Sequence, residues 1–136
     1  MADNCIFCKI ANGEIPSRTV YEDDDFRAIL DLGPATKGHT LILPKVHADN
    51  LYELPDKIGE RLIPVAKGVA GLLKQKLTCA GLNLVQNNGE AAGQTVNHFH
   101  LHIIPRYEND GQKILWNPTK PADEELDAVL SAIMGK

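Results

Sequence analysis

Hydrophobic and polar positions change period along this chain, and the changes divide it into strands and helices. Short apolar or alternating runs bounded by Gly, Pro, Asn or Asp predict five β-strands. These runs are residues 19–22, 26–32, 39–44, 82–86 and 98–105. The second and third are expected to be neighbours in a hairpin.

Between the third and fourth runs the apolar residues recur at steps of three and four, which predicts one long helix over residues 55–76. Pro64 falls inside this segment and is expected to kink the helix or mark its true start. Residues 5–11 predict a short helix or turn. Residues 123–134 predict an amphipathic terminal helix with three acidic residues at its start, where the helix dipole favours negative charge. Strands grouped around one long helix predict an α+β fold with an antiparallel sheet.

Composition excludes several classes of protein. The 136 residues have the size of one domain, and no apolar run approaches the ~18 residues of a membrane-spanning helix. Fourteen basic and 18 acidic residues (net charge −4) argue against a broad nucleic-acid surface, although one small phosphate ligand remains compatible. Three cysteines without a secretory signal argue against a disulfide framework and predict a cytoplasmic location.

The segment His98-Phe-His-Leu-His-Ile-Ile104 carries the chemistry. On a strand, His98, His100 and His102 share one face, and the apolar residues between them share the other. A solvated strand face normally uses Thr, Lys and Glu, so three histidines indicate a functional site. Two interpretations follow from the residues: a three-histidine catalytic metal site with an open water position, or a histidine nucleophile supported by its neighbours.

The loop just before this strand bears on that choice. Residues 87–95 are small and polar and contain two glycines, so backbone N–H groups can approach a phosphate closely. Gln94 and Thr95 add neutral hydrogen-bond donors. A loop of this kind beside a histidine strand favours phosphoryl chemistry.

The pattern His-φ-His-φ-His-φ-φ resembles the motif of the histidine-triad (HIT) family of nucleotide-binding proteins, in its small bacterial-type branch. The resemblance extends to the Cys-Ile-Phe-Cys-Lys-Ile start, to Asp31, to Gly-His-Thr-Leu-Ile-Leu-Pro-Lys at 38–45 and to the glycine-containing loop. It implies one HIT domain over residues 1–136, with a C-terminal extension from about residue 106. It also implies a five-stranded antiparallel sheet, one long helix, short terminal helices and pairing into a two-fold homodimer.

The resemblance further implies a nucleotidyl hydrolase or transferase that cleaves at the α-phosphate of purine nucleotides, with nucleoside phosphoramidates and related conjugates as substrates. Position by position, His100 corresponds to the nucleophile, His102 to a phosphate contact and His39 to a histidine that supports the triad. Asp31 corresponds to the acid that binds the ribose hydroxyls, and Leu32 to an apolar contact with the base. The expected phosphate or leaving-group contacts are Asn88, Gln94 and Thr95, of which Thr95 is expected to assist departure of the leaving group.

Cys5 and Cys8 have a Cys-x-x-Cys spacing, which suits a redox pair, half a metal site or two buried structural residues. A thioredoxin-like context for redox chemistry is absent from the sequence pattern. His47 and His98 are available as further ligands, and related histidine-triad transferases use such a set. We therefore predict a structural Zn²⁺ site at Cys5, Cys8, His47 and His98, and no organic cofactor.

Three alternatives stay open on the sequence alone. They are a three-histidine metal hydrolase, a dinucleoside polyphosphate hydrolase, and a nucleotide-binding protein without catalytic activity.

Overall fold

The computed structural model describes residues 4–135. It contains five strands: β1 (Thr19–Glu22), β2 (Phe26–Leu30), β3 (Thr40–Pro44), β4 (Gly81–Val85) and β5 (Leu101–Arg106). Three α-helices accompany them: α1 (Ile6–Ala11), α2 (Asp56–Leu77) and α3 (Asp123–Met134). Two short 3₁₀ turns, Leu51–Glu53 and Glu90–Ala92, lie in the connections.

The strands form one antiparallel sheet in the order β1-β2-β3-β5-β4. This confirms the predicted α+β class with a five-stranded antiparallel sheet, and β2 and β3 are the expected hairpin neighbours. Leu41 of β3 lies between Ile29 of β2 and His102 of β5, so the register aligns the histidine strand with the middle of the sheet.

The ladder of β5 begins at Leu101, three residues later than the sequence pattern predicts. Before that point the chain leaves β3, and the N–H of Phe99 donates to the carbonyl oxygen of Ala48 instead. The side-chain alternation nevertheless extends upstream, because Phe99, Leu101 and Ile103 all join the apolar core on one side. The histidines between them therefore point to the opposite side.

The sheet has an apolar layer on each face. On one face, α2 packs Leu62, Val65, Ala66, Val69 and Leu73 against inward-facing residues of β2, β3 and β5. On the other face, the much shorter α1 contributes Ala11, with Phe7 and Ile10 beside it, to a small cluster on Ile29, Leu41 and Leu43. The functional side chains lie on this second face.

Pro64 lies inside α2 and does not mark its start, so that part of the prediction is wrong. The helix begins at Asp56 and continues to Leu77. Pro64 is solvent-exposed, so water can satisfy the carbonyl oxygen that a proline leaves without a donor. Buried Leu62, Val65 and Ala66 hold the turns on both sides against the sheet.

The chain after β5 runs without regular structure to α3, and every residue of α3 is exposed. In residues 4–135, no helix combines the length and hydrophobicity needed to cross a membrane.

Candidate active site

A cavity of about 320 Å³ lies between α1 and the sheet face opposite α2. Its walls are mainly apolar and come from α1, β2 and β3. Its polar lining includes Asp31, Thr95, His100 and His102. This size and this combination of apolar walls with a few convergent polar groups are typical of small-molecule sites.

His100 is 6% exposed, and its partners determine which ring nitrogen carries the proton. Nδ1 lies 2.7 Å from the carbonyl oxygen of His98, so Nδ1 bears hydrogen and donates. Nε2 of the neutral ring then has a free lone pair. Phe7 packs edge-on against this ring, with centroids 5.0 Å apart at 85°. The backbone and α1 therefore hold the imidazole in one orientation.

A second chain of hydrogen bonds determines the state of His102. The N–H of Ala35 donates to Nδ1 of His39 over 2.9 Å, which leaves the His39 proton on Nε2. That Nε2–H lies 2.9 Å from Nδ1 of His102, so His102 accepts there and carries its own proton on Nε2. His102 therefore has an N–H donor to offer to a ligand.

Burial keeps these two histidines neutral. The pKa of His102 is lowered to about 4, mainly by burial, and the neighbouring His100 and His39 contribute to this lowering while Asp31 opposes it. Burial also lowers the pKa of His39, again against the charge of Asp31, whose Oδ2 lies 3.6 Å from His39 Nε2. Neutral rings are what the donor and acceptor assignments above require.

His98 contacts the cysteine pair. Its Nδ1 lies 3.3 Å from Sγ of both Cys5 and Cys8. Its Nε2–H donates to the carbonyl oxygen of Pro44 over 2.9 Å, and burial lowers its pKa to about 4. Among residues 4–135 the three triad imidazoles do not form one ligand cluster, which removes the geometric basis of the three-histidine metal interpretation.

Cys5, Cys8, His47 and His98 do form such a cluster, with one ligand atom each and all four atoms within 4.8 Å of one another. Nδ1 of His47 lies 3.2 Å from Sγ of Cys8, and its Nε2 donates to the carboxylate of Asp49 over 2.7 Å. Both imidazoles therefore present an unprotonated Nδ1 to the sulfurs. Two thiolates and two oriented imidazoles are the donor set of a closed structural zinc site, with bonds of ~2.0–2.3 Å. The residues present fit Zn²⁺.

The remaining predicted residues divide into two groups. Leu32, at 86% exposure, lines the cavity beside Asp31, and Thr95 lines it on the loop side. Asn88 and Gln94 lie outside the cavity lining. Gln94 accepts from the N–H of Gly89 and donates to the carbonyl oxygens of Asp49 and Val96, so it braces the loop. Asn88 accepts from the N–H of Leu51 and bonds to the side chain of Gln86.

Sequence reasoning missed the wall that α1 supplies. Ile6, Phe7 and Ile10 line the cavity, and none of them was among the predicted site residues. One feature of the sequence could have indicated this wall: several apolar residues lie on a predicted helix that is too short to build a core by itself. It also missed Asp49, which orients His47 with its carboxylate and Gln94 with its carbonyl oxygen.

The antiparallel sheet, with alternating histidines behind a glycine-containing loop, defines a histidine-triad protein. The family model described as HIT domain matches residues 12–109, and the chain belongs to this family. The Bacillus subtilis relative named protein hit is 44% identical over 137 residues, covering 97% of this chain and 93% of that protein. The crystal structure of a HIT family member from Bacillus subtilis has a TM-score of 0.90 at 42% identity and covers 98% of this chain and 97% of that one.

Some relatives carry enzymatic names. The adenosine 5′-monophosphoramidase of Saccharomyces cerevisiae is 39% identical over 88% of this chain and 73% of its own length. The adenylylsulfatase of Arabidopsis thaliana is 40% identical over 98% of this chain and 69% of its own length. A zinc-bound histidine-triad structure from Mycobacterium smegmatis has a TM-score of 0.75 at 37% identity and covers 97% of this chain and 94% of that one.

Proposed function

We propose that the protein hydrolyses purine nucleoside 5′-phosphoramidates and related nucleotide conjugates at the α-phosphate, through a nucleotidyl intermediate on His100. One observation carries the proposal: the hydrogen bond from Nδ1 of His100 to the His98 carbonyl leaves Nε2 as a nucleophilic lone pair on a ring that lines the cavity. Two relatives support the substrate class, since their names describe enzymes that act on an adenosine phosphoramidate and an adenylylsulfate.

In the proposed reaction, Nε2 of His100 forms a bond to phosphorus while the bond to the leaving group breaks. The amine takes up a proton from solvent as it departs, and Thr95 at the side of the same cavity donates a hydrogen bond to it. The Nε2–H of His102 stabilises charge on the phosphoryl oxygens. Water then attacks phosphorus and gives its proton to solvent while the bond between phosphorus and Nε2 breaks, which releases the nucleoside monophosphate and restores His100. Two in-line displacements give net retention of configuration at phosphorus.

Asp31 and Leu32 are proposed to bind the nucleoside. The Oδ1 atom of Asp31 accepts from the N–H of Gly33 over 2.8 Å, which holds the carboxylate at the end of β2. A carboxylate has further lone pairs for two ribose hydroxyls. Leu32 is almost fully exposed beside it, and an apolar side chain in that position suits the face of a base. The roles of Asn88 and Gln94 as phosphate or leaving-group contacts stay predictions, because their side chains brace the loop here.

We further propose that Cys5, Cys8, His47 and His98 hold Zn²⁺. All four ligands come from the protein, so the ion would have a structural role with no open position for water. The cluster geometry and the zinc-bound neighbour both support this assignment.

A substrate panel tests the proposed activity. The purified protein is incubated with adenosine and guanosine 5′-phosphoramidates, adenylylsulfate and dinucleoside polyphosphates, and the nucleoside monophosphate released is measured. We expect the phosphoramidates to be hydrolysed with the highest kcat/KM. Faster cleavage of dinucleoside polyphosphates would favour that alternative, and binding of nucleotide without turnover of any substrate would favour a non-catalytic role.

We also propose that two copies pair as a homodimer and that residues 1–136 form one HIT domain with an extension after β5. Support comes from the extension itself: Leu115 and Trp116 are each 83% exposed, and the apolar side chains of α3 are uncovered. Clusters of this kind are uncommon on an isolated monomer. The cytoplasmic location stays a prediction, which cell fractionation tests.

A further inference from the structure

The metal cluster and the nucleotide cavity share one structural element, the helix α1. This helix has only six residues, too few to be stable without packing. Cys5 and Cys8, in the cluster, bracket its first turn, and Ile6, Phe7 and Ile10 line the cavity. The position of α1 therefore determines the shape of both sites.

Phe7 is the residue that contacts both sides. It lies between the two cysteines in sequence, and its ring packs edge-on against His98 and His100, at centroid distances of 6.1 and 5.0 Å. His98 makes a second connection, because its ring belongs to the cluster while its carbonyl oxygen accepts the Nδ1–H of His100. If the turn that contains Cys5 and Cys8 moved, the cavity wall on α1 and the Phe7 ring that packs against His100 would move with it.

We propose that metal binding at Cys5, Cys8, His47 and His98 and nucleotide binding in the cavity are positively coupled through α1, with Phe7 as the positioning residue. Both ligands require α1 docked in one place, so whichever binds first removes the ordering cost for the other. This inference rests on the proposed nucleotide-binding function. Thermodynamic linkage makes the coupling reciprocal, so the two ligands strengthen each other by the same factor.

The first measurement compares the Kd for adenosine 5′-monophosphate between zinc-loaded and zinc-depleted protein by calorimetry, with circular dichroism as the check on folding. We expect depletion to weaken binding by about fivefold or more, the lower end of typical coupling between sites. The second measurement starts from folded, zinc-loaded protein. A chelator competes for the metal with and without the nucleotide, and the nucleotide should increase zinc affinity by the same factor.

Phe7→Ala keeps all four metal ligands and tests the route of the coupling. We expect it to bind Zn²⁺ while the coupling factor falls towards one. Lys9→Ala is the matched control, because Lys9 lies on α1 outside the cavity lining and the metal cluster; its coupling factor should equal that of the unmodified protein.

Equal Kd values in the loaded and depleted protein, or zinc retention unaffected by nucleotide, would overturn the coupling. If depletion unfolds the chain, any ligand of the folded protein would raise zinc retention, so the coupling factor of Phe7→Ala compared with that of Lys9→Ala then decides. An unchanged coupling factor in Phe7→Ala would overturn the role of Phe7. Failure of the nucleotide to bind either form contradicts the proposed function itself, which separates that result from a failure of coupling alone.

Discussion

At the scale of single residues, the proposed nucleophile His100 needs a ring nitrogen with a free lone pair in the cavity. Within residues 4–135 its Nδ1 is bonded to the carbonyl oxygen of His98, and Nε2 has no hydrogen-bond partner. The two nitrogens of His102 have the opposite assignment, since Nδ1 accepts from His39. The two neighbouring rings therefore act differently because their partners differ: His100 presents a lone pair on Nε2, and His102 presents an N–H donor there.

Replacement of His100 by alanine should reduce kcat/KM by roughly 10³-fold or more while nucleotide binding persists, because a nucleophile acts mainly in the transition state. Steady-state kinetics measures the first quantity, and calorimetry with adenosine 5′-monophosphate measures the second. Near-normal turnover by His100→Ala would contradict the covalent mechanism. If the unmodified protein inverts the configuration of a substrate that is chiral at the α-phosphorus, this result would also contradict the covalent mechanism and favour direct attack by water.

Asp31 combines a turn role with its proposed ribose role, and two variants separate them. Asp31→Asn can still accept from the N–H of Gly33, whereas Asp31→Ala cannot. Both variants lose the carboxylate, so both should raise KM severalfold and change kcat less, as loss of uniform binding does. If the Asn variant has an unchanged KM and only the Ala variant is impaired, Asp31 is a turn residue alone.

The lowered pKa of His102 gives a stability prediction with a definite sign. The ring titrates near 6.5 when unfolded and near 4 when folded, so between these values the unfolded chain binds more protons. The free energy of unfolding should therefore fall as the pH is lowered from about 6.5 to about 4. The groups facing this ring are His100, His39 and Asp31. Burial also lowers the pKa of His39, which adds to the slope with the same sign.

His102→Gln isolates the contribution of this one ring, because the amide does not titrate. Denaturant unfolding at several pH values should show a flatter dependence in the variant, by up to one proton in the slope. Parallel profiles for the two proteins between pH 4 and pH 6.5 would show that His102 is not the group responsible.

At the scale of elements, the N-terminal turn and the segment before β5 meet at the metal cluster. Cys5 and Cys8 are 93 and 90 residues from His98 in the sequence, so an ion there would tie α1 to the triad segment. Protein prepared without added metal should contain close to one equivalent of zinc. Elemental analysis measures it, and content far below one equivalent with unchanged folding would contradict the assignment.

Two cysteine variants make this test specific. Cys8→Ser removes a fully buried ligand and should abolish stoichiometric zinc and lower the free energy of unfolding. Cys79→Ser is the matched control, since Cys79 is a free cysteine outside the cluster and should leave the zinc content unchanged.

At the scale of the whole molecule, the C-terminal extension is the part whose exposure a monomer does not explain. Leu126, Val129, Leu130 and Ile133 follow helical spacing along one side of α3 and are 54–75% exposed. An amphipathic helix is normally stable because its apolar side is buried. In the proposed homodimer, a second copy of the chain would cover this side.

Light scattering after gel filtration should give a mass of about twice 14.9 kDa for the unmodified protein. Val129→Asp and Ile133→Asp place a charge on the apolar side and should shift the mass towards one chain. Ser131→Asp, on the polar side of the same helix, is the control and should stay dimeric. A mass of one chain for the unmodified protein would contradict the homodimer. If both apolar-side variants stay dimeric, the interface lies elsewhere.

Local patterns in the sequence determined much of this protein. Alternation predicted the strands that form the sheet, the three- and four-residue steps predicted α2, and the acidic start followed by apolar repeats predicted α3. The motif placed His98, His100 and His102 on the side opposite Phe99 and Leu101, which the packing of those residues confirms. These features depend on neighbours within a few residues, which is the range over which periodicity carries information.

Only the tertiary structure decided which of these residues meet, and so what each one can do chemically. His39 and His102 are 63 residues apart and become partners because β3 and β5 are adjacent in the sheet. His98 shares the triad face but contacts the cysteines, and α1 becomes a wall of the cavity rather than part of a larger core. Tautomers and lowered pKa values arise from such long-range contacts and from burial, which strand register and packing determine.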